Sequence, residues 1–348
     1  MSPTSRTPCR FLPPHLLRAV AEHGNPAQRA RALRTLRVDA QVRSVRTARA
    51  RPVPPAPAGP APRRTVSDAE HGEALPGRTV RPEGATPTGD AAADEAYDGL
   101  GATWHLFSDV YGRDGLDGAG MPLLGSVHFG RDYDNAFWDG TRMVFGDGDG
   151  ELFGRFTASV EVIAHELAHG VTEVEAGLVY AGQSGALNES VSDVFGVLVE
   201  QRALGQDAAD ADWLVGAELL LPGVAGVALR SMAAPGTAYD DPVLGKDPQP
   251  GHLDDLVVTT SDHGGVHINS GIPNRAFHLA SVAVGGRAWE TTGRVWYDAL
   301  HDPALSPTSD FAAFAAVTVR VAAARGWEEQ VAQAWRTVGV EATAPPGS

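Results

Sequence analysis

His165 and His169 stand four residues apart in the run His165-Glu166-Leu167-Ala168-His169. A helix turns once in about 3.6 residues, so both imidazoles project from one face and can reach a single metal ion. Zinc suits two such nitrogens, and a catalytic zinc takes a third protein ligand while keeping a position open for water. Glu189, in the pair Asn188-Glu189, is the natural third ligand, and Asp193 follows one turn later. Glu166 stands beside the ligands as a general base for that water. The pattern therefore points to hydrolysis by metal-activated water. The plain alternative is a helix with two surface histidines. Val160, Ile163, Ala164, Leu167, Ala168 and Val171 weigh against it, because they recur at helical spacing and give the helix a broad buried face. Histidines beside such a face need partners, and a metal supplies one.

The elements that must position these groups can be read from periodicity. The motif helix is expected over about 159–175, and a second helix over about 187–203 carries Glu189, Asp193 and Glu200. Residues 91–113 read as a helix with Tyr97, Leu100, Trp104 and Phe107 on one face. Short strands are expected at 127–129, 137–138 and 143–145. The run Gly146-Asp147-Gly148-Asp149-Gly150 is a turn with calcium-loop colouring, but it has too few ligands and the wrong spacing for an EF-hand. Helices follow near 272–284, 287–301, 309–324 and 327–337, separated by Gly285-Gly286, Pro307 and Gly326.

At the N-terminus a short helix is expected over 11–21, and a second runs from the Asn25-Pro26 start to about Arg37. A proline-crowded stretch from Pro52 to Pro62 then marks a boundary. With 348 residues the chain can form two lobes plus an appendage. Cys9 is the lone cysteine, so no intramolecular disulfide forms. No apolar stretch approaches the ~18 residues of a membrane span. Pro13, Pro14, His15 and Arg18 break up any secretory apolar segment, so the expectation is no classical signal peptide, and a cytoplasmic protein or one exported by a non-classical route. Net charge is −15, unevenly spread: residues 1–64 hold 13 Arg and two acids, a charge of +11, leaving −26 on the rest. A basic arm docked on an acidic body is the favoured reading, ahead of a solvated tail or a nucleic-acid-binding arm. The arm lacks interleaved aromatics beyond Phe11, and the body would repel phosphate, so neither nucleic acid nor membrane is an expected partner.

Several motifs in order give the chain a resemblance to thermolysin-like zinc metallopeptidases of the gluzincin type. They are AHELAHGVTEVEAGLVY at 164–180, GALNESVSDVFG at 185–196, NAFWDGTRMVFGDGDG at 135–150 and DHGGVHINSGIPN at 262–274. The run Phe11-Leu12-Pro13-Pro14-His15-Leu16-Leu17 resembles the Pro-Pro-x-Leu element of the protealysin-like branch, which carries a short prosegment. The resemblance implies an α+β, two-lobed fold with zinc in the cleft between a β-rich N-terminal lobe and a helical C-terminal lobe. It divides the chain into a prosegment (1–50), a Pro-rich linker (51–63), an N-terminal lobe (64–158) and the zinc-binding helices with the C-terminal lobe (159–348). It implies a zinc-dependent neutral endopeptidase acting on peptides or proteins, made as a precursor whose prosegment is an intramolecular inhibitor.

The same resemblance implies the roles of individual residues. His165, His169 and Glu189 bind zinc, with Asp193 and Asn188 holding the two histidines. His267 and Tyr180 donate to the oxyanion, and Asp262 orients His267. Asn135 and Ala136 bind substrate backbone, Arg230 holds a substrate carbonyl, and Val162 and Leu229 are apolar pocket walls. Cleavage before a bulky apolar residue follows. Glu161, Glu200 and Asp212 match three calcium-binding acids, while Leu214 and Ala217 stand where further acids are usual, so one weaker calcium ion is expected rather than two. Cys9 raises the further idea of a thiolate capping the zinc, although a lone cysteine is more often a small apolar residue. Processing is expected between Leu36 and Arg64. Against the peptidase stands the reading of a silent zinc-binding protein, but such a module needs none of Glu166, His267 and Tyr180.

Overall fold

A computed structural model of the chain describes residues 10–46 and 61–342. Cys9 and most of the proline-rich linker lie outside the described residues.

The N-terminal arm is two helices, α1 (Pro14–His23) and α2 (Pro26–Arg46). Pro14 opens α1 at a position whose N–H would have no helical partner, and its preset φ suits the first turn. Asn25 caps α2 through its Oδ1, which accepts from the N–H groups of Ala27 and Gln28. The sequence places the end of α2 near Arg37, yet the helix runs on to Arg46. Ala32, Thr35, Val38 and Asp39 form one buried stripe, so docking on the body supports a helix that is otherwise rich in arginine.

The N-terminal lobe is a five-stranded sheet in the order β2 (Arg78–Pro82), β1 (Arg64–Asp68), β3 (Leu123–Val127), β5 (Met143–Phe145), β4 (Ala136–Trp138). Strands β1, β3 and β5 are parallel, while β2 and β4 are antiparallel to their neighbours. Strand β4 lies at an edge, with Phe137 opposite Val144. The sequence reading missed β1 and β2, whose residues carry no strict alternation. It also set a strand at 127–129, whereas β3 ends at Val127, because His128 turns into the left-handed region at φ 53°. Helix α3 (Ala91–His105) lies against the sheet and continues as a wider turn over Leu106–Val110.

Helices α4 (Val160–Glu175) and α5 (Gly182–Leu204) form the centre of the molecule, and α4 is buried from Glu161 to Thr172. Helix α5 starts five residues before its expected beginning. Gly196 lets the two helices approach, since a Cβ there would lie 2.8 Å from the Glu161 carbonyl. Gly205, at φ 67°, ends α5. Short strand pairs follow, β6 (Leu214–Val215) with β7 (Arg230–Ser231) and β8 (Asp240–Asp241) with β9 (Gly245–Lys246). The remaining helices are α6 (Asp262–Asn269), α7 (Gly271–Val284), α8 (Thr292–Leu300), α9 (Phe311–Ala323) and α10 (Glu328–Thr337). Helix α6 is broken at its start by left-handed His263, Gly264 and Gly265, which hid it from periodicity. Helix α8 begins at Thr292 rather than 287, because Gly285 and Gly286 both take positive φ and a turn fills the interval.

Candidate active site

Helix α4 presents His165 and His169 on one face, as their spacing requires, and α5 brings Glu189 opposite them. The two histidine Nε2 atoms lie 3.1 Å apart. Glu189 Oε2 is 3.5 Å from His165 Nε2, and Oε1 is 3.7 Å from His169 Nε2. Each histidine is oriented from behind. Asp193 Oδ1 lies 2.8 Å from His165 Nδ1, and Asn188 Oδ1 lies 2.7 Å from His169 Nδ1. Ser192 Oγ also reaches His169 Nδ1, at 3.0 Å. An Nδ1–H donated backwards leaves a bare lone pair on each Nε2. Two lone pairs and a carboxylate then converge on one buried point with no proton between them, which is a donor set for a cation and suits zinc.

Glu166 is fully buried. Its Oε2 accepts from the Trp138 N–H at 3.0 Å, while Oε1 has no hydrogen-bond partner among the described residues. Burial pushes its carboxyl up to about 8, with Glu189 adding to the effect.

The opposite wall carries Tyr180 and His267, whose Oη and Nε2 are 3.2 Å apart. Tyr180 Oη donates to Glu189 Oε1, and His267 Nε2 is 3.6 Å from Glu189 Oε2. Asp262 holds His267 twice, through Nδ1 at 2.6 Å and the backbone N–H at 2.9 Å. Burial opposes charge on His267, but Asp262 and Glu189 outweigh it and raise the imidazole to about 9. Arg230 grips Asp193 with two bonds, Nε to Oδ2 at 2.9 Å and Nη2 to Oδ1 at 2.8 Å. Asn274 also donates to Asp193 Oδ2, at 2.9 Å. Neither Asn274 nor the Trp138 amide drew a role in the sequence reading, although both lie inside motifs it quotes.

Residues 10–12 run through this site as an added antiparallel strand on β4, with Arg10 opposite Phe137. The Phe11 N–H donates to the Ala136 carbonyl at 3.2 Å, and its own carbonyl accepts from Arg230 Nη1 at 3.4 Å. Leu12 is held both ways by Asn135, its N–H to Oδ1 at 2.8 Å and its carbonyl from Nδ2 at 3.3 Å. The Arg10 carbonyl lies 3.2 Å from His267 Nε2. The Phe11 ring is fully buried, edge-on to His165 at 5.2 Å and beneath the Arg230 guanidinium at 4.7 Å. Val162 and Leu229 are likewise buried.

Away from the cleft, Glu161 on α4 approaches Glu200 on α5. The Gly216 N–H donates to Glu161 Oε1 at 3.0 Å, while Oε2 is buried with no hydrogen-bond partner among the described residues. Burial, then Glu161, Asp212 and Glu218 in turn, push Glu200 up to about 8. Glu218 stands one position after Ala217, where the resemblance placed a further acid.

A two-lobed fold with two histidines and two carboxylates, Glu166 and Glu189, in its cleft defines a zinc metallopeptidase. The family model for the thermolysin metallopeptidase catalytic domain matches residues 65–173, and that for the thermolysin metallopeptidase alpha-helical domain matches 176–340. The chain belongs to the thermolysin-like metallopeptidases and is a zinc-dependent neutral metalloendopeptidase acting on peptide substrates. It is 52% identical over 340 residues to an extracellular metalloprotease of Pectobacterium carotovorum subsp. carotovorum, covering 97% of this chain and 98% of that protein. It is 50% identical over 284 residues to protease PrtS of a Photorhabdus strain, covering 80% and 76%. Among solved structures it matches the precursor of protealysin, a metalloproteinase from Serratia proteamaculans, with TM-score 0.89 and 52% identity over 95% of this chain and 99% of that one. The expectation of a cytoplasmic location is corrected here. The Pectobacterium relative, alike over nearly its whole length, is named as extracellular, so a missing classical signal pattern gives no ground for an intracellular enzyme. No helix among the described residues is long and apolar enough to cross a membrane.

Proposed function

We propose that the protein is made as a latent precursor whose segment 1–50 inhibits the enzyme, with residues 10–12 lying in the cleft in the direction of a substrate. The linker is residues 51–63, and residues 64–158 and 159–348 form the two lobes. One observation carries the reading: every backbone hydrogen bond of Phe11 and Leu12 described above goes to a residue expected to bind substrate. The Arg10–Phe11 bond accordingly lies in the register of a bond to be cut. Phe11 occupies the position after that bond, which supports a preference for a bulky apolar residue there.

His165, His169 and Glu189 would hold the zinc. When bound, zinc supplies a Lewis acid and lowers the pKa of water towards ~7. Glu166 takes the water's proton on its free Oε1 and passes it to the leaving amine. As charge develops on the substrate carbonyl oxygen, Tyr180 Oη and His267 Nε2 donate to it, the latter oriented by Asp262. Losing one such donor costs about 10²–10³ in rate. Arg230 holds the next carbonyl, while Asn135 and Ala136 fix the strand on β4, so the chain is positioned before any bond is made. Glu161, Glu200 and Asp212, joined by Glu218, would bind a single calcium ion; the free Glu161 Oε2 and the raised Glu200 support this.

The test is a time course of the zinc-loaded precursor and its Glu166→Ala form, followed by intact mass and cleavage of a quenched peptide with Leu or Phe after the scissile bond. The wild type should shed an N-terminal piece and gain activity while the variant stays whole and silent. If both stay whole, and a trace of active protease removes the arm without releasing activity, the inhibitory reading fails.

A further inference from the structure

Outside the cleft, the described residues hold one other group of three metal-ligating side chains whose donor atoms lie within 4.8 Å of one another: His71, His128 and Asp147. They come from three segments, the turn after β1, the residue after β3 and the loop after β5. His128 Nδ1 lies 2.9 and 3.0 Å from the two Asp147 oxygens, and His71 Nδ1 lies 3.4 Å from Asp147 Oδ2. Ligands about 2.0–2.2 Å from a tetrahedral zinc stand roughly 3.3 Å from each other. The catalytic set shows separations of 3.1, 3.5 and 3.7 Å, and both histidines of the second group stand at comparable distances from Asp147, 2.9 and 3.4 Å.

The orientation also matches. Asp90 Oδ2 lies 2.9 Å from His128 Nε2, holding the far nitrogen as Asp193 holds that of His165. A carboxylate behind the ring fixes the tautomer and raises the basicity of the nitrogen facing the ion. The backbone keeps the imidazoles together. The His71 N–H donates to the His128 carbonyl at 2.9 Å, the Gly130 N–H donates to the Gly72 carbonyl at 2.9 Å, and the ring centres are 5.4 Å apart. Both histidines take left-handed φ, 58° and 53°, a conformation unusual outside glycine. The His71 side chain is 56% exposed, so an ion arrives from solvent and water completes its coordination.

We propose that His71, His128 and Asp147 form a second metal site, selective for zinc or another imidazole-preferring transition ion such as nickel over calcium. Two nitrogens and one carboxylate favour such ions, whereas calcium takes 6–8 oxygens. The ion ties together the ends of three parallel strands, one of them the neighbour of the substrate-binding edge β4.

The full-length Glu166→Gln chain, which cannot process itself, is loaded with one zinc equivalent in calcium buffer and titrated at pH 7.5 with zinc, then separately with nickel. Bound metal per chain and melting temperature are read together. A second equivalent should bind and raise the melting temperature. Adding His71→Asn, which tolerates the left-handed backbone, or Asp147→Asn should weaken that equivalent at least tenfold and leave the first in place. Loss of the first equivalent as well would report misfolding for that variant, and the other would decide. No second equivalent in the parent, or one that survives both substitutions, overturns the site. The first equivalent reads the catalytic zinc independently.

Discussion

Arg10 of the N-terminal arm and Asp39 of α2 form a buried ion pair, Nε to Oδ1 at 2.8 Å. Tyr133 Oη donates to the same Asp39 oxygen at 2.6 Å, and Asn135 Nδ2 reaches Oδ2 at 3.3 Å. Asp39 therefore links the strand in the cleft, the helix that follows it and the wall of the N-terminal lobe. Breaking a buried pair from one side costs about 3–5 kcal/mol, because the remaining charge stays buried alone. Asp39→Asn should make the precursor markedly less latent, since an undocked Arg10 returns to water. Its activity before processing, measured on the quenched peptide in a linker-protected chain, should rise by at least tenfold over the parent. Equal latency would show that the pair is incidental.

Phe11 gives an apolar counterpart to that test. Its ring is fully buried between His165 and the Arg230 guanidinium. Truncating a buried Phe costs about 3–5 kcal/mol. Phe11→Ala should weaken inhibition by the arm supplied in trans by 10²-fold or more, whereas Phe11→Leu should retain most of it. Were Phe11→Ala to inhibit as well as the parent, the ring would not be filling a specificity pocket.

The candidate zinc cluster was legible because its signal is local. His165, Glu166 and His169 fall within one turn and a half, and Glu189 and Asp193 within one turn. The substrate-like course of residues 10–12 was not legible. The +11 arm and −26 body predict attraction, but not that Arg10 would pair with Asp39, which belongs to the arm itself. Two of the arm's other cations do meet the body, Arg31 with Glu151 at 2.7 Å and Arg34 with Asp132 at 3.3 Å. The end of α2 was misplaced because its buried stripe exists only against another surface. Helix α6 was missed because three left-handed residues hide it, and β1 and β2 because pairing rather than alternation makes them strands.

His15 gives the arm a dependence on pH. Its Nε2 faces Tyr239 Oη at 3.3 Å. Burial, with help from His267, Arg230 and Arg18 and against Asp262, lowers its imidazole from 6.5 to about 4. A histidine depressed in the docked state binds its proton more readily when released. The docked arm therefore has this contribution in full above about 6.5 and loses it as pH falls through the window down to about 4. The difference is worth about 3 kcal/mol at most. Inhibition by the arm in trans should weaken from pH 7.5 to 5.5, and His15→Gln should flatten that slope. An identical slope in the variant would assign the dependence to other groups.

Glu200 makes the opposite kind of pH statement, for the body. An acid raised in the fold from 4.5 to about 8 holds its proton there and gives it up on unfolding, so stability falls as pH rises through that window. The cause is burial next to Glu161, with Asp212 and Glu218 adding repulsion. A calcium ion among these carboxylates would remove the repulsion and the pH slope together. In chelator, the melting temperature of the zinc-loaded enzyme should drop between pH 6 and 8.5, and calcium should restore it by a few degrees, at about 2–4 °C per kcal/mol. Glu200→Gln should melt higher than the parent in chelator at pH 8.5 and respond little to calcium. Should the variant keep the full calcium response, the ion binds elsewhere and Glu200 is a strained carboxylate with no ligand role.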